Sequence, residues 1–129
     1  ISAKKLGSRR PEVYEGLGTN YGMRRQFDKA LEAYSTALKI DPKKGSSYFN
    51  RGVTYSNLGQ HKAAINDYSK ALEYAPSQAS MALVNRGISL AAIGQLAAAV
   101  ADFRAVLNIE PTNQVARRYL QQLSRAQPR

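Results

Sequence analysis

Three prolines recur along this chain at almost one interval. Pro42, Pro76 and Pro111 lie 34 and 35 residues apart. Each closes a segment with the same internal order of residues. Gly18, Gly52 and Gly87 keep that beat, and so do Ala30, Ala64 and Ala99. The extra residue of the second interval falls between Pro76 and Gly87, in the run Pro76-Ser77-Gln78-Ala79-Ser80, which reads as a turn. A unit of this length cannot bury an apolar face by itself. It must stack on its neighbours, so the chain is expected to form an extended array rather than a closed domain around a cleft.

Within each unit the apolar residues follow helical spacing twice. Tyr14, Leu17 and Tyr21 mark a first helix in unit one, Tyr48 and Tyr55 in unit two, and Leu83 and Leu90 in unit three. Their spacings of three, four and seven place them on one helix face. A second helix carries Phe27, Ala30, Leu31, Tyr34, Ala37 and Leu38, with matching sets from Ala64 to Leu72 and from Ala99 to Leu107. Gly59 and Gly94 stand between the paired helices, where a left-handed residue ends a helix. Unit one has Arg25 there, so its turn is expected to close differently, through Gly22. The small residues at Gly18 and Ala30, and at their equivalents, are expected to face one another and let the two helices approach closely. Each proline stops the second helix of its unit.

The units span 11–44, 45–78 and 80–113. Residues 114–129 read as a capping helix with Val115, Tyr119, Leu120 and Leu123 on its apolar face. Residues 1–10 are either a basic leader or the tail of a preceding helix, marked by Ile1, Ala3 and Leu6. A chain that begins at Ile1 rather than Met reads as a piece of something longer, and no signal peptide is evident on it.

This pattern resembles the tetratricopeptide repeat (TPR), whose signature is a large residue, Leu-Gly and Tyr, then Ala and an aromatic, then Pro. Unit one matches at Tyr14, Leu17, Gly18, Tyr21, Ala30, Tyr34, Ala37 and Pro42. Unit two matches at Tyr48, Gly52, Tyr55, Gly59, Ala64, Tyr68, Ala71 and Pro76. Unit three matches at Gly87, Gly94, Ala99, Phe103 and Pro111, with Leu83, Leu90 and Val106 as apolar variants. The resemblance implies an all-α solenoid, a right-handed superhelix of three helix–turn–helix units plus a cap. It implies a protein-interaction module, an adaptor, scaffold or co-chaperone-like assembly factor with no enzymatic activity and no cofactor. It also implies that the first helices line a concave face that receives a peptide or a partner helix.

On that face the resemblance points to Glu15 and Thr19 in unit one, Phe49, Asn50 and Val53 in unit two, and Met81, Val84, Asn85 and Ile88 in unit three. Asn50 and Asn85 are equivalent, and an asparagine amide can hold a peptide backbone through both donor and acceptor groups. The apolar members make the C-terminal half of the face an interaction surface. Cover by the cap helix or by a second copy of the chain is the rival account. The chaperone-binding subclass of the family grips a terminal carboxylate with lysines and asparagines. Here only Asn50 fits that set, because Glu15, Thr19, Met81 and Asn85 occupy the other positions. No clamp for acidic chaperone C-termini is expected.

A covariation inside the chain points to structure. Units two and three carry Arg51 and Arg86 where unit one has Leu17. The same two units carry Asp67 and Asp102 where unit one has Ala33. Residues that change together are expected to touch, here as Arg–carboxylate pairs between first and second helices.

Other chemistry finds little support. There is no cysteine, which removes disulfides and thiolate chemistry and fits reduced and oxidised compartments alike. The compartment is therefore open, with a soluble cytoplasmic protein as the weaker-founded expectation. No apolar run has the length of a membrane span. The one histidine, His61, stands where the other units have Phe27 and Leu96, so it reads as filling a half-buried slot at the start of a helix. No metal-ligand cluster or phosphate loop accompanies it. The formal charge of +10 is concentrated at the ends. Residues 1–45 hold ten basic against five acidic side chains, 46–111 five against four, and 112–129 four against none. Contact of those basic ends with RNA or an anionic surface is the alternative function. A nucleic-acid binder would carry positive charge along the whole array, which this chain does not.

Overall fold

The computed structural model of the protein describes residues 9–126. The expected leader or preceding helix tail at 1–10 therefore lies, up to Ser8, outside the described residues. Seven α-helices follow one another: α1 (Pro11–Met23), α2 (Phe27–Ile40), α3 (Gly45–Asn57), α4 (His61–Tyr74), α5 (Ala79–Ala92), α6 (Leu96–Ile109) and α7 (Gln114–Ala126). A single turn of 3-10 helix, Pro76–Gln78, joins α4 to α5 and absorbs the extra residue of the second interval. Among the described residues there is no strand. No described helix is long and apolar enough to cross a membrane.

Each helix packs mainly on its neighbours in sequence, and the first helices α1, α3 and α5 also touch in succession. The result is an α-solenoid whose core runs along the array. Ala30, Ala64 and Ala99 are fully buried, as are Tyr68 and Phe103. At the C-terminal end, Leu83, Leu90, Phe103 and Val106 close against Ala116 and Leu123 of α7. Tyr119 of α7 stacks on Phe103 with ring centroids 5.0 Å apart. Asn113 caps α7 by accepting the Ala116 N–H at 2.9 Å, which satisfies one otherwise unpaired donor of the first turn.

One local expectation is corrected and a second is made more specific. The first concerns the turn of unit one. Arg25 itself adopts the left-handed conformation, with φ of 60°, as Gly59 and Gly94 do at 76° and 83°. Gln26 N–H reaches the Tyr21 carbonyl at 2.9 Å, and Arg25 N–H reaches Gly22 at 2.9 Å. Gln60 and Gln95 make the same bond to Tyr55 and Leu90. All three helix ends are thus the Schellman type, and tertiary packing holds a non-glycine residue in that conformation. Arg25 also lies 5.4 Å above the Phe27 ring.

The second concerns the close approach at the glycines. A Cβ on Gly52 would sit 2.8 Å from a Tyr68 ring carbon, and one on Gly87 would sit 2.8 Å from Phe103. Gly18 meets Tyr34 in the same way. The glycine makes room for the aromatic ring of the second helix, in a core where the alanines are fully buried.

Candidate functional site

The paired charges come together as the covariation requires, each within its own helix pair. Arg51 Nε and Nη2 donate to the two carboxylate oxygens of Asp67, both at 2.8 Å. Arg86 grips Asp102 with both distances at 2.7 Å. The third guanidinium nitrogen crosses to the preceding helix pair, where Arg51 reaches Ser35 and Arg86 reaches Ser69, both at 3.1 Å. Bidentate hydrogen bonding to the carboxylate raises the pKa of each guanidinium above its ordinary value. Arg51 also lies between the rings of Tyr48 and Tyr55, at 5.7 and 5.8 Å. These four charged residues hold α3 to α4 and α5 to α6, and they tie each pair to the one before it.

The residues expected on the concave face divide into two groups. In unit one the polar atoms are engaged within the molecule. Glu15 Oε2 accepts hydrogen bonds from Ser46, at 2.7 Å, and from Ser47. Thr19 donates to the Glu15 carbonyl at 3.1 Å. Having spent its proton there, Thr19 accepts from the Tyr34 hydroxyl at 3.1 Å. Glu15 therefore anchors α3 to α1.

In units two and three the amides are free. Asn50 and Asn85 are half-buried, and neither side chain hydrogen-bonds another described residue. Phe49 is half-buried with its ring tilted against Tyr68, centroids 5.9 Å apart. Two grooves flank α5. The first, of about 230 Å³, brings Met81, Val84 and Asn85 together with Glu110 and Val115. Met81 is 58% exposed there and Val115 45%, so the cap helix lines this face without covering it. The second, of about 180 Å³, brings Val53, Asn85 and Ile88 together with Asn57 and His61. Asn85 lies at the ridge between the two.

Sequence reasoning missed the contribution of Val115 and Glu110, which come from the cap and the turn before it. It also missed a hydrogen-bonded chain behind the second groove. His61 Nδ1 lies 3.0 Å from Ser89 Oγ, Ser89 lies 3.1 Å from Ser56, and Ser56 lies 3.0 Å from the Tyr68 hydroxyl. A signal existed. His61 replaces Phe27 and Leu96, whereas the position of Ser89 is polar in all three units, as Asn20 and Thr54, and carries no covariation.

Profiles described as tetratricopeptide repeat match residues 46–78 and 82–113, and one described as TPR repeat matches 24–59. The chain belongs to the tetratricopeptide repeat family. No curated protein sequence matches it. Among solved structures it is similar to the first TPR of Spaghetti (RPAP3) bound to HSP90 peptide SRMEEVD. That likeness has 28% identity and a TM-score of 0.86, and it covers 92% of this chain and 94% of that one. The TPR domain of Arabidopsis OM64 is 26% identical with a TM-score of 0.84, covering 91% and 96%. The first TPR domain of human RPAP3 is 28% identical with a TM-score of 0.82, covering 90% and 91%. The TPR array of this chain is thus a protein-interaction scaffold in its architecture.

Proposed function

We propose that this TPR array binds an extended peptide or partner helix along its concave face, as an adaptor or assembly scaffold. The observation that carries this reading is the pair of equivalent, half-buried amides at Asn50 and Asn85, neither of which has a partner within the described chain. Amides held in that state are ready to take the C=O and N–H groups of a bound backbone. Phe49, Val53, Val84 and Ile88 flank them and offer apolar anchoring surface.

The similar Spaghetti domain is bound to an acidic HSP90 peptide, but the chemistry of this face favours another ligand. Met81 and Asn85 put no cation at the groove positions of α5, and its one arginine, Arg86, is bound to Asp102. Glu15 adds a carboxylate whose oxygen already holds α3. An acidic C-terminus would meet the carboxylates of Glu15 and Glu110 and no lysine among these residues. The ligand class is therefore a neutral or basic segment with apolar side chains.

Affinity capture with the wild type against the double variant Asn50→Ala/Asn85→Ala tests the reading. Prey retained by the wild type and lost by the variant is the expected result. An unchanged prey set moves the binding surface elsewhere. The peptide SRMEEVD is expected to show no saturable binding in the micromolar range by fluorescence anisotropy, and tight binding would refute the assigned ligand class.

A further inference from the structure

The groove between α3 and α5 holds groups that packing does not require. His61 stands at a position that Phe27 and Leu96 fill in the other helix pairs, so an apolar side chain suffices to start that helix. In its place, His61 ends the chain of hydrogen bonds that begins at Tyr68. The Tyr68 side chain is almost fully buried, at 1% exposure. Its hydroxyl has Ser56 as its one hydrogen-bond partner among the described residues.

That burial decides the direction of the chain. Each hydroxyl carries one proton. Were His61 to donate to Ser89, either the Tyr68 proton or the Ser89 proton, both on side chains only 1% exposed, would be left without an acceptor in the chain, which folded proteins avoid. The protons therefore run from Tyr68 to Ser56, from Ser56 to Ser89, and from Ser89 to His61 Nδ1. The neutral ring then carries its own proton on Nε2, so the side chain that lines the groove is a hydrogen-bond donor.

We propose that His61 Nε2–H, with the amides of Asn57 and Asn85, forms a specificity pocket for one partner side chain ending in a carbonyl or carboxylate oxygen. This rests on the peptide-groove reading above. Of the six polar residues that line the pocket, Ser56, Tyr68 and Ser89 spend their protons within the chain, while His61, Asn57 and Asn85 offer N–H donors, and Val53 and Ile88 supply apolar wall for a short aliphatic stem. No aspartate or glutamate lines the pocket, so a lysine or arginine would find no charged partner there. A volume of about 180 Å³ accepts a single side chain. Glutamine and glutamate share the required chemistry, and the test separates them.

The tautomer is tested first. His61 is the chain's single histidine, so the imidazole nitrogen NMR signals belong to it without assignment. The neutral ring of the wild type is expected to be the Nε2–H form, and Ser89→Ala to shift it towards a mixture. A wild-type ring protonated at Nδ1 overturns the proposal.

Binding is tested with immobilised pools of short random peptides whose central residue is held as Gln, Glu, Leu or Lys. The wild type is expected to retain the Gln or Glu pool about three- to tenfold better than Leu or Lys, the worth of one hydrogen bond. His61→Leu, a residue the equivalent position already accepts in Leu96, is expected to lose that preference while still retaining the Leu pool. A wild type that prefers Leu or Lys, or a preference unchanged in His61→Leu, overturns the pocket alone. Retention of no pool, or retention unaffected by Asn50→Ala/Asn85→Ala, overturns the groove reading and the pocket with it.

Discussion

Replacing Arg51 and Asp67, singly and together, measures what holds one helix pair. The Asp67 side chain is 3% exposed and the Arg51 side chain 21%. Unit charges about 4 Å apart attract by about 4 kcal/mol at an effective dielectric constant of about 20. Removing both ions from water offsets most of that. The single variants are therefore unequal. Arg51→Leu leaves a carboxylate buried without its two donors and is expected to cost about 3 kcal/mol. Asp67→Ala leaves a guanidinium that is already one-fifth exposed and can turn towards water, so about 2 kcal/mol is expected. The double variant recreates the Leu17 and Ala33 pair of unit one, where Ala33 is buried. It loses only the Ser35 bond and the tyrosine contacts, and is expected to cost about 2 kcal/mol. The implied coupling is about 3 kcal/mol. Urea denaturation followed by circular dichroism at constant slope gives each value. Single costs that add up to the double cost within about 0.5 kcal/mol would refute the pairing as an energetic unit.

Three further outcomes follow from the same geometry. Gly52→Ala is expected to destabilise by about 1–3 kcal/mol because its Cβ meets Tyr68 at 2.8 Å, whereas Gly16→Ala, with nothing within 4 Å, is expected to stabilise by about 0.5–1 kcal/mol; equal effects in thermal melts would sink the argument. Gly59→Ala should cost about 1 kcal/mol by the same assay, since its φ of 76° is left-handed. Burial raises the phenol pKa of Tyr34 and Tyr68 above 10.0, so the native state keeps protons that the unfolded chain releases. That contribution is whole below about pH 10 and is lost as pH rises from there through the folded values. Tyr34→Phe/Tyr68→Phe should therefore lose less stability than the wild type between pH 9 and pH 11 in urea titrations, and identical losses would count against it.

The pairing of Arg with Asp was legible because two residue types changed together on a known beat, and only complementary charge explains such a change. The equivalence of Asn50 and Asn85 was legible from the same beat, since a position in one unit predicts its equivalents. Their engagement was not. Glu15 and Asn50 both read as exposed polar residues of first helices, yet Glu15 is held by two serines of the next helix and Asn50 is held by none. That difference depends on which side chains α3 presents to α1, a matter of crossing geometry rather than of either helix's own pattern. The Arg25 turn shows the same limit. Local preference argued for a glycine, and the packing of α1 on α2 overrode it.

Sequence by itself determined the number of units, the helix in which each residue lies, the proline stops and the partners of the buried charges. These follow from short-range periodicity, and periodicity is a property of order along the chain. Tertiary structure alone decided that the small glycines serve aromatic rings and that α7 lines the face beyond α5 without covering it. It also decided the course of the proton chain from Tyr68 to His61. Each of those depends on atoms from two or three helices meeting within hydrogen-bond or van der Waals distance, which stacking of the units creates and no single unit contains.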